Sequence, residues 1–205
     1  MRTRYIIAVF AAAFLGLGAY WYFFDTHEVR NYPSSGTDII AFGDSLITGV
    51  GASPGRDFIS LLSEKIGQPI INLGVSGDTT AGGLARLGEL DSYNPKVVIV
   101  LFGGNDYLRR VSQEQTFDNL TEIVESIQAK GAIVLLLGVR GGLLTDHFDR
   151  EFKKLRNTRD TAYVPDVLDG LLGKQEYMSD EIHPNDAGYA RIAERVYPVL
   201  APLLK

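Results

Sequence analysis

Apolar positions along the 205-residue chain follow two patterns. In Ile39 to Phe42, Pro69 to Leu73, Val97 to Phe102 and Ile133 to Leu137, successive residues are apolar and mostly β-branched or leucine. Strands covered on both faces read this way, because a parallel sheet between helices has no solvent side. Between these runs the apolar residues step by three and four: Phe58, Ile59, Leu61, Leu62 and Ile66; Leu84, Leu87 and Leu90; Phe117, Leu120, Ile123, Val124 and Ile127. Each set lines one face of a helix. A last helix is expected from about Asp186, with Ile192, Val196 and Val199 inward and Pro198 bending or ending it. From 139 to 179 the pattern is weaker, although Phe148 to Arg159 reads as a helix. Alternation of strand and helix predicts an α/β fold, a three-layer α/β/α sandwich around a mostly parallel sheet of about five strands.

The first 24 residues break this pattern. Tyr5 to Phe24 is 20 residues without a charge, about the length a helix needs to cross the roughly 30 Å hydrocarbon core of a bilayer. Arg2 and Arg4 precede it and Asp25 and Glu28 follow it, a bias that keeps the N-terminus cytoplasmic and sends the rest across. A cleaved signal peptide competes with the anchor, given the small residues of Gly16-Leu17-Gly18. The anchor is preferred because apolarity continues through Tyr22-Phe23-Phe24. Both readings export the domain: either it stands on the outer side of a bacterial inner membrane, or it is secreted. The expected division is thus 1–24 as anchor or signal, 25–37 as a tether and 38–205 as one domain.

Composition narrows the chemistry. All 25 acidic residues and all but two of the 20 basic ones lie beyond residue 24, and no basic cluster suggests nucleic acid. The chain has no cysteine, which excludes disulfides, thiolate catalysis, zinc–thiolate sites and lipid attachment through an N-terminal cysteine. Three histidines at 27, 147 and 183 give no metal-ligand spacing, and no phosphate-binding glycine loop occurs. A monomer is assumed.

Three strand ends carry polar motifs. The first run breaks at Gly43-Asp44-Ser45-Leu46, the second at Asn72-Leu73-Gly74-Val75-Ser76-Gly77-Asp78-Thr79 and the third at Gly103-Gly104-Asn105-Asp106. A serine hydroxyl at the first, glycine N–H groups at the second and a side-chain amide at the third suit attack on a carbonyl and capture of the resulting oxyanion. Near the far end, Asp180-Glu181-Ile182-His183-Pro184 places a carboxylate three residues before an imidazole. In a tight turn that spacing fixes the ring tautomer and frees Nε2 to take a serine proton. His27 and His147 suit the role less, lying in the tether and an irregular region. Gly51-Ala52-Ser53-Pro54-Gly55 matches a nucleophile elbow, but Pro54 has no N–H to give the oxyanion hole.

In this order the strings resemble the SGNH (GDSL) hydrolase family over residues 38 to about 200. The resemblance implies a flavodoxin-like fold, with Ser45 as nucleophile, Asp180 and His183 as acid and base, and Ser45 N–H, Gly77 and Asn105 as oxyanion donors. The stretch from Ser76 to Leu87 is similar to the arylesterase, thioesterase and lysophospholipase branch, whereas 139–179, including Arg140-Gly141-Gly142-Leu143-Leu144, does not follow it. The expected reaction is hydrolysis of a small acyl ester or thioester through an acyl-enzyme, without a cofactor. Apolar Val75, Leu108 and Val111 incline the expectation toward an acyl chain. An O-acetylesterase of carbohydrate or cell wall, an acyltransferase and an anchored binding module are the alternatives.

Overall fold

A computed structural model describes residues 28–140 and 147–205. The anchor or signal segment and His27 lie outside the described residues, as does 141–146; the side chain of His147 is likewise not described. Among the described residues no helix is long and apolar enough to cross a membrane.

The elements run β1 (Asp38–Gly43), α1 (Ser45–Thr48), α2 (Phe58–Ile66), β2 (Ile70–Gly74), α3 (Thr80–Ala85), a 3₁₀ turn (Leu87–Ser92), β3 (Pro95–Leu101), α4 (Gly104–Leu108), α5 (Gln113–Ala129), β4 (Ile133–Leu137), α6 (His147–Arg159), β5 (Ala162–Val164) and α7 (Asp186–Leu203). Five strands form one sheet in the order β2-β1-β3-β4-β5, every pair parallel. α2 packs with α7, and α3 and α6 pack against α5, giving two helical groups. Crossovers between parallel strands are right-handed, so reversing direction beside β1 sends the connections to opposite faces.

The runs of successive apolar residues become the buried strands β1, β3 and β4. β2 departs from that reading: as an edge strand it has no fully buried residue. β5, a fifth strand of three residues paired with Leu135–Leu137, lies within the weakly patterned 139–179 region. Pro198 does not end α7, which continues to Leu203. Pro198 and Glu194, whose carbonyl loses its partner, are on the exposed side, while Ile192, Val196, Leu200 and Leu203 keep the other face buried. At Pro198 the helix therefore gives up a bond where water can replace it.

The step from Leu84 to Leu90 is not one helix. α3 stops at Ala85 and a 3₁₀ turn follows Arg86. α3 carries Gly82 and Gly83, poor helix formers that are needed here for space: a Cβ on Gly82 would enter the Asp78 carboxylate, and one on Gly83 would stand 2.6 Å from the ring of Phe102.

Residues 30–37 lack regular structure yet are tied to the start of the sheet. Arg30 N–H donates to Asp160 C=O (2.8 Å), and Thr37 and Asp38 N–H both donate to Asn94 C=O (2.9 Å each). Asn31 Nδ2 donates to Gln128 and Ala132 carbonyls, and Ser34 Oγ to that of Gly131. These acceptors precede β3, β4 and β5, at the edge opposite the motif-bearing strand ends.

Gly83→Ala tests the packing of α3. In an open helix the change stabilises by about 1 kcal/mol; against the buried Phe102 ring it should instead destabilise by about 1–3 kcal/mol in chemical denaturation.

Candidate active site

β1 passes into α1 through a single residue, Asp44. Its backbone is extended, and its Oδ1 accepts the Leu46 N–H at 3.0 Å, capping the helix. Gly49 at φ 84° ends α1 and returns its N–H to Ser45 C=O. Ser45 is therefore the first helical residue, where a backbone N–H has no carbonyl a turn earlier to meet. Its side chain is largely buried but reaches the cavity floor.

His183 Nε2 lies 3.0 Å from Ser45 Oγ, and His183 Nδ1 lies 2.7 Å from Asp180 Oδ2. The second carboxylate oxygen of Asp180 accepts the backbone N–H groups of Ile182 (2.8 Å) and His183 (2.7 Å). The imidazole bond and these two amides hold the carboxyl down to about 2, although the side chain is half exposed. It is thus a fixed anion at neutral pH, favouring the His183 tautomer with Nδ1–H toward Asp180 and Nε2 free to accept from Ser45.

The turn is braced on both sides. Ser179 N–H and Oγ both donate to His183 C=O, and Asn185 caps α7 while its Nδ2 donates to Glu176 C=O. Gly51, at φ 95°, lets the loop after α1 lie against Ser179 and Pro184, where any Cβ would collide. The nearby Ser53 is occupied in that loop, its N–H bonded to Asp186 Oδ1 at 2.7 Å, and it does not line the cavity.

Asn105 stands in the first turn of α4. Its Nδ2 donates to Asp78 C=O at 2.9 Å and faces Asp44 Oδ2 at 3.4 Å. Gly77 sits at φ 79° in a turn closed by Asp78 N–H to Val75 C=O (3.1 Å), the position of a type II turn that calls for glycine. Arg109 Nη2 holds the Gly77 carbonyl at 2.7 Å. Ser45, Asn105, Asp180 and His183 line one cavity of about 790 Å³; Gly77 is not among the lining residues and joins them through Asp78, whose carbonyl accepts the Asn105 amide. Leu46, Leu108, Val139, Leu168, Leu172, Met178 and Ile182 supply its aliphatic and thioether wall. Of the three apolar residues singled out in the sequence, Leu108 lines the cavity; Val75 and Val111 do not.

Two supporting acids carry weaker sequence signals. Asp106 is fully buried; Oδ2 accepts Thr80 N–H at 2.9 Å and Oδ1 accepts Thr80 Oγ1 at 2.5 Å, while Asn119 Nδ2 donates to that hydroxyl at 3.0 Å. It joins α3, α4 and α5, and an acid directly after a glycine-rich strand end is the only hint of it. Asp44 is also buried, and loss of hydration pushes its carboxyl up to about 7 despite the Leu46 N–H and the nearby His183. Among the described residues no cluster of three or more histidine, aspartate or glutamate side chains is arranged to hold a metal ion.

A carboxyl whose pKa is higher folded than unfolded binds more protons in the folded state between the two values, so stability falls as pH rises through that interval. For Asp44 the interval runs from 3.8 to about 7. Asn can keep the cap without ionising, so Asp44→Asn should raise Tm at pH 8 relative to the unsubstituted chain and change it little at pH 4. Paired thermal melts at the two pH values measure the difference.

Comparison with known proteins agrees with this geometry. A profile of the GDSL-like Lipase/Acylhydrolase family matches residues 41–191. Esterase TesA of Pseudomonas aeruginosa is 35% identical over 178 residues, covering 81% of this chain and 89% of the relative. Thioesterase 1/protease 1/lysophospholipase L1 of Escherichia coli K12 is 32% identical over 175 residues, 81% and 84% of the two chains. A crystal structure of TesA superposes with a TM-score of 0.75 at 33% identity, covering 82% of this chain and 99% of that one. With Ser45, Asn105, Asp180 and His183 gathered on one cavity and the family profile spanning most of the domain, the chain belongs to the GDSL-like lipase/acylhydrolase family of serine ester hydrolases.

Proposed function

We propose that Ser45 is the nucleophile of an esterase acting on carboxylic ester or thioester bonds of acyl substrates, with His183 as general base and Asp180 as its orienting acid. The observation that carries this reading is the continuous relay from Asp180 Oδ2 through His183 to Ser45 Oγ, with contacts of 2.7 and 3.0 Å, at the floor of an apolar-walled cavity. Ser45 Oγ attacks the carbonyl carbon as His183 takes its proton. The same imidazolium protonates the leaving alcohol or thiol, and water then releases the acid by the reverse sequence. Ser45 N–H, Gly77 N–H and the Asn105 amide are the oxyanion donors in this reading.

The lining residues support an acyl chain longer than acetyl, because seven aliphatic or thioether side chains line a cavity far larger than an acetyl group. The names of the relatives, which include esterase, thioesterase and lysophospholipase, point the same way. The charge pattern around residues 5–24 supports a domain outside the cytoplasm, anchored through that segment or released after cleavage.

Three measurements test the reading. Ser45→Ala should abolish hydrolysis of p-nitrophenyl esters, and Asn105→Ala should lower kcat by about 100- to 1,000-fold while leaving Tm nearly unchanged. In a chain-length series kcat/KM should rise beyond acetyl; activity confined to acetyl esters would point to an O-acetylesterase, and transfer to an added alcohol to an acyltransferase. After expression in a bacterium, carbonate-washed membranes should retain the chain with residues 38–205 open to external protease in spheroplasts.

A further inference from the structure

Arg86 follows α3 and turns its guanidinium back over the carboxyl edge of the sheet. Nη2 donates to Gly43 C=O at 2.9 Å, two residues before Ser45. Nη1 donates to Leu73 C=O at 2.9 Å, near the end of β2, and to Glu89 Oε2 at 3.2 Å. Nε donates to Asp78 Oδ2 at 2.7 Å. The guanidinium carbon stands 4.2 Å from the centre of the Phe42 ring, and only 14% of the side chain is exposed. This planar fork meets backbone carbonyls on two strands and a carboxylate in the following turn, an arrangement that a single ammonium cannot reproduce.

Those acceptors belong to the segments that carry the proposed oxyanion donors. Gly43 leads into Ser45, and its carbonyl also accepts the Val75 N–H at 2.9 Å, which starts the Gly77 turn. Asp78 ends that turn, and its own carbonyl accepts the Asn105 amide at 2.9 Å. Arg86 itself does not line the cavity. We propose that Arg86 is a positioning residue of this hydrolase: by bridging the β1 end to the Gly77–Asp78 turn, it sets the spacing between Ser45 and the groups that receive the oxyanion. This inference rests on the assignment of Ser45, Gly77 and Asn105 above. Removing the guanidinium takes away the side-chain bridge and leaves the turn tied to β1 through the Val75–Gly43 bond at its start, and errors of about 1 Å in such sites cost on the order of 100-fold in rate.

The test compares Arg86→Gln, Arg86→Lys and Asp78→Asn in the full chain, with Ser45→Ala as the control. Active sites are counted by covalent fluorophosphonate labelling, kcat and KM are measured on p-nitrophenyl butyrate, and affinity is measured for an alkyl boronic acid that forms a tetrahedral adduct on serine. Arg86→Gln and Asp78→Asn should lower kcat per labelled site by about 10- to 100-fold. KM should move by less than about threefold, boronate affinity should fall in parallel with kcat, and Arg86→Lys should recover part of the loss. If Arg86→Gln does not fold, Asp78→Asn, which keeps the side-chain volume, decides alone. Wild-type kcat per labelled site accompanied only by a lower Tm would overturn the proposal and leave Arg86 as a packing element, as would a change confined to KM. Absence of Ser45-dependent labelling and turnover in the unsubstituted chain would instead overturn the esterase reading and this inference with it.

Discussion

The site depends on the reversal of strand order beside β1. With β2 on one flank and β3 on the other, the chain leaves β1 and β2 toward opposite faces of the sheet, and a crevice opens at their carboxyl ends. Gly43 fits there because a Cβ would run into the Leu101 carbonyl and the Ile47 side chain. β1 and β3 can therefore end side by side, bringing Ser45 and Asn105 to one cavity. The third contributor arrives from much farther along the chain: α7 packs on α2, and the turn just before α7 delivers His183 over α1. Sheet topology thus accounts for a contact spanning 138 positions in sequence.

Around that crevice, three aspartates meet different surroundings. Asp180 is half in water and receives two amide hydrogens and an imidazole, so its charge is favoured. Asp44 is buried with one strong amide donor, and its charge is disfavoured. Asp106 is buried as well, but uses both oxygens on Thr80 at the start of α3. Environment, more than residue type, separates the charged acid bonded to His183 from the buried acids that brace the loops and helices around it.

Much of this was legible in the sequence because the relevant signals are local. Runs of successive apolar residues marked β1, β3 and β4, and three-and-four spacing marked α2 and α5. Ser45, Asn105, Asp180 and His183 were each marked by a short motif at the end of a strand or the start of a helix. What escaped was set by tertiary contacts. β5 is only three residues and owes its existence to pairing with β4; Pro198 could as well have ended the helix as bent it, because sequence does not reveal that its turn faces water. Arg86 carried no structural signal of its own, since nothing local shows that its partners are carbonyls 13 and 43 positions away. The Leu84-to-Leu90 period suggested one helix, whereas Gly82 and Gly83 serve the close approach of Asp78 and Phe102 instead.

The docking of residues 30–37 beneath the sheet gives the molecule a polarity of a different kind. The chain enters at the strand starts, and the cavity opens at the strand ends, so the length of the strands separates Glu28 from the mouth. A load joined ahead of Glu28, whether a bilayer, a bead or a second domain, would pull on Arg30, Asn31 and Ser34, and so on the bases of β4 and β5. The strand ends that hold Ser45 and Asn105 lie at the other pole, turned away from such a load.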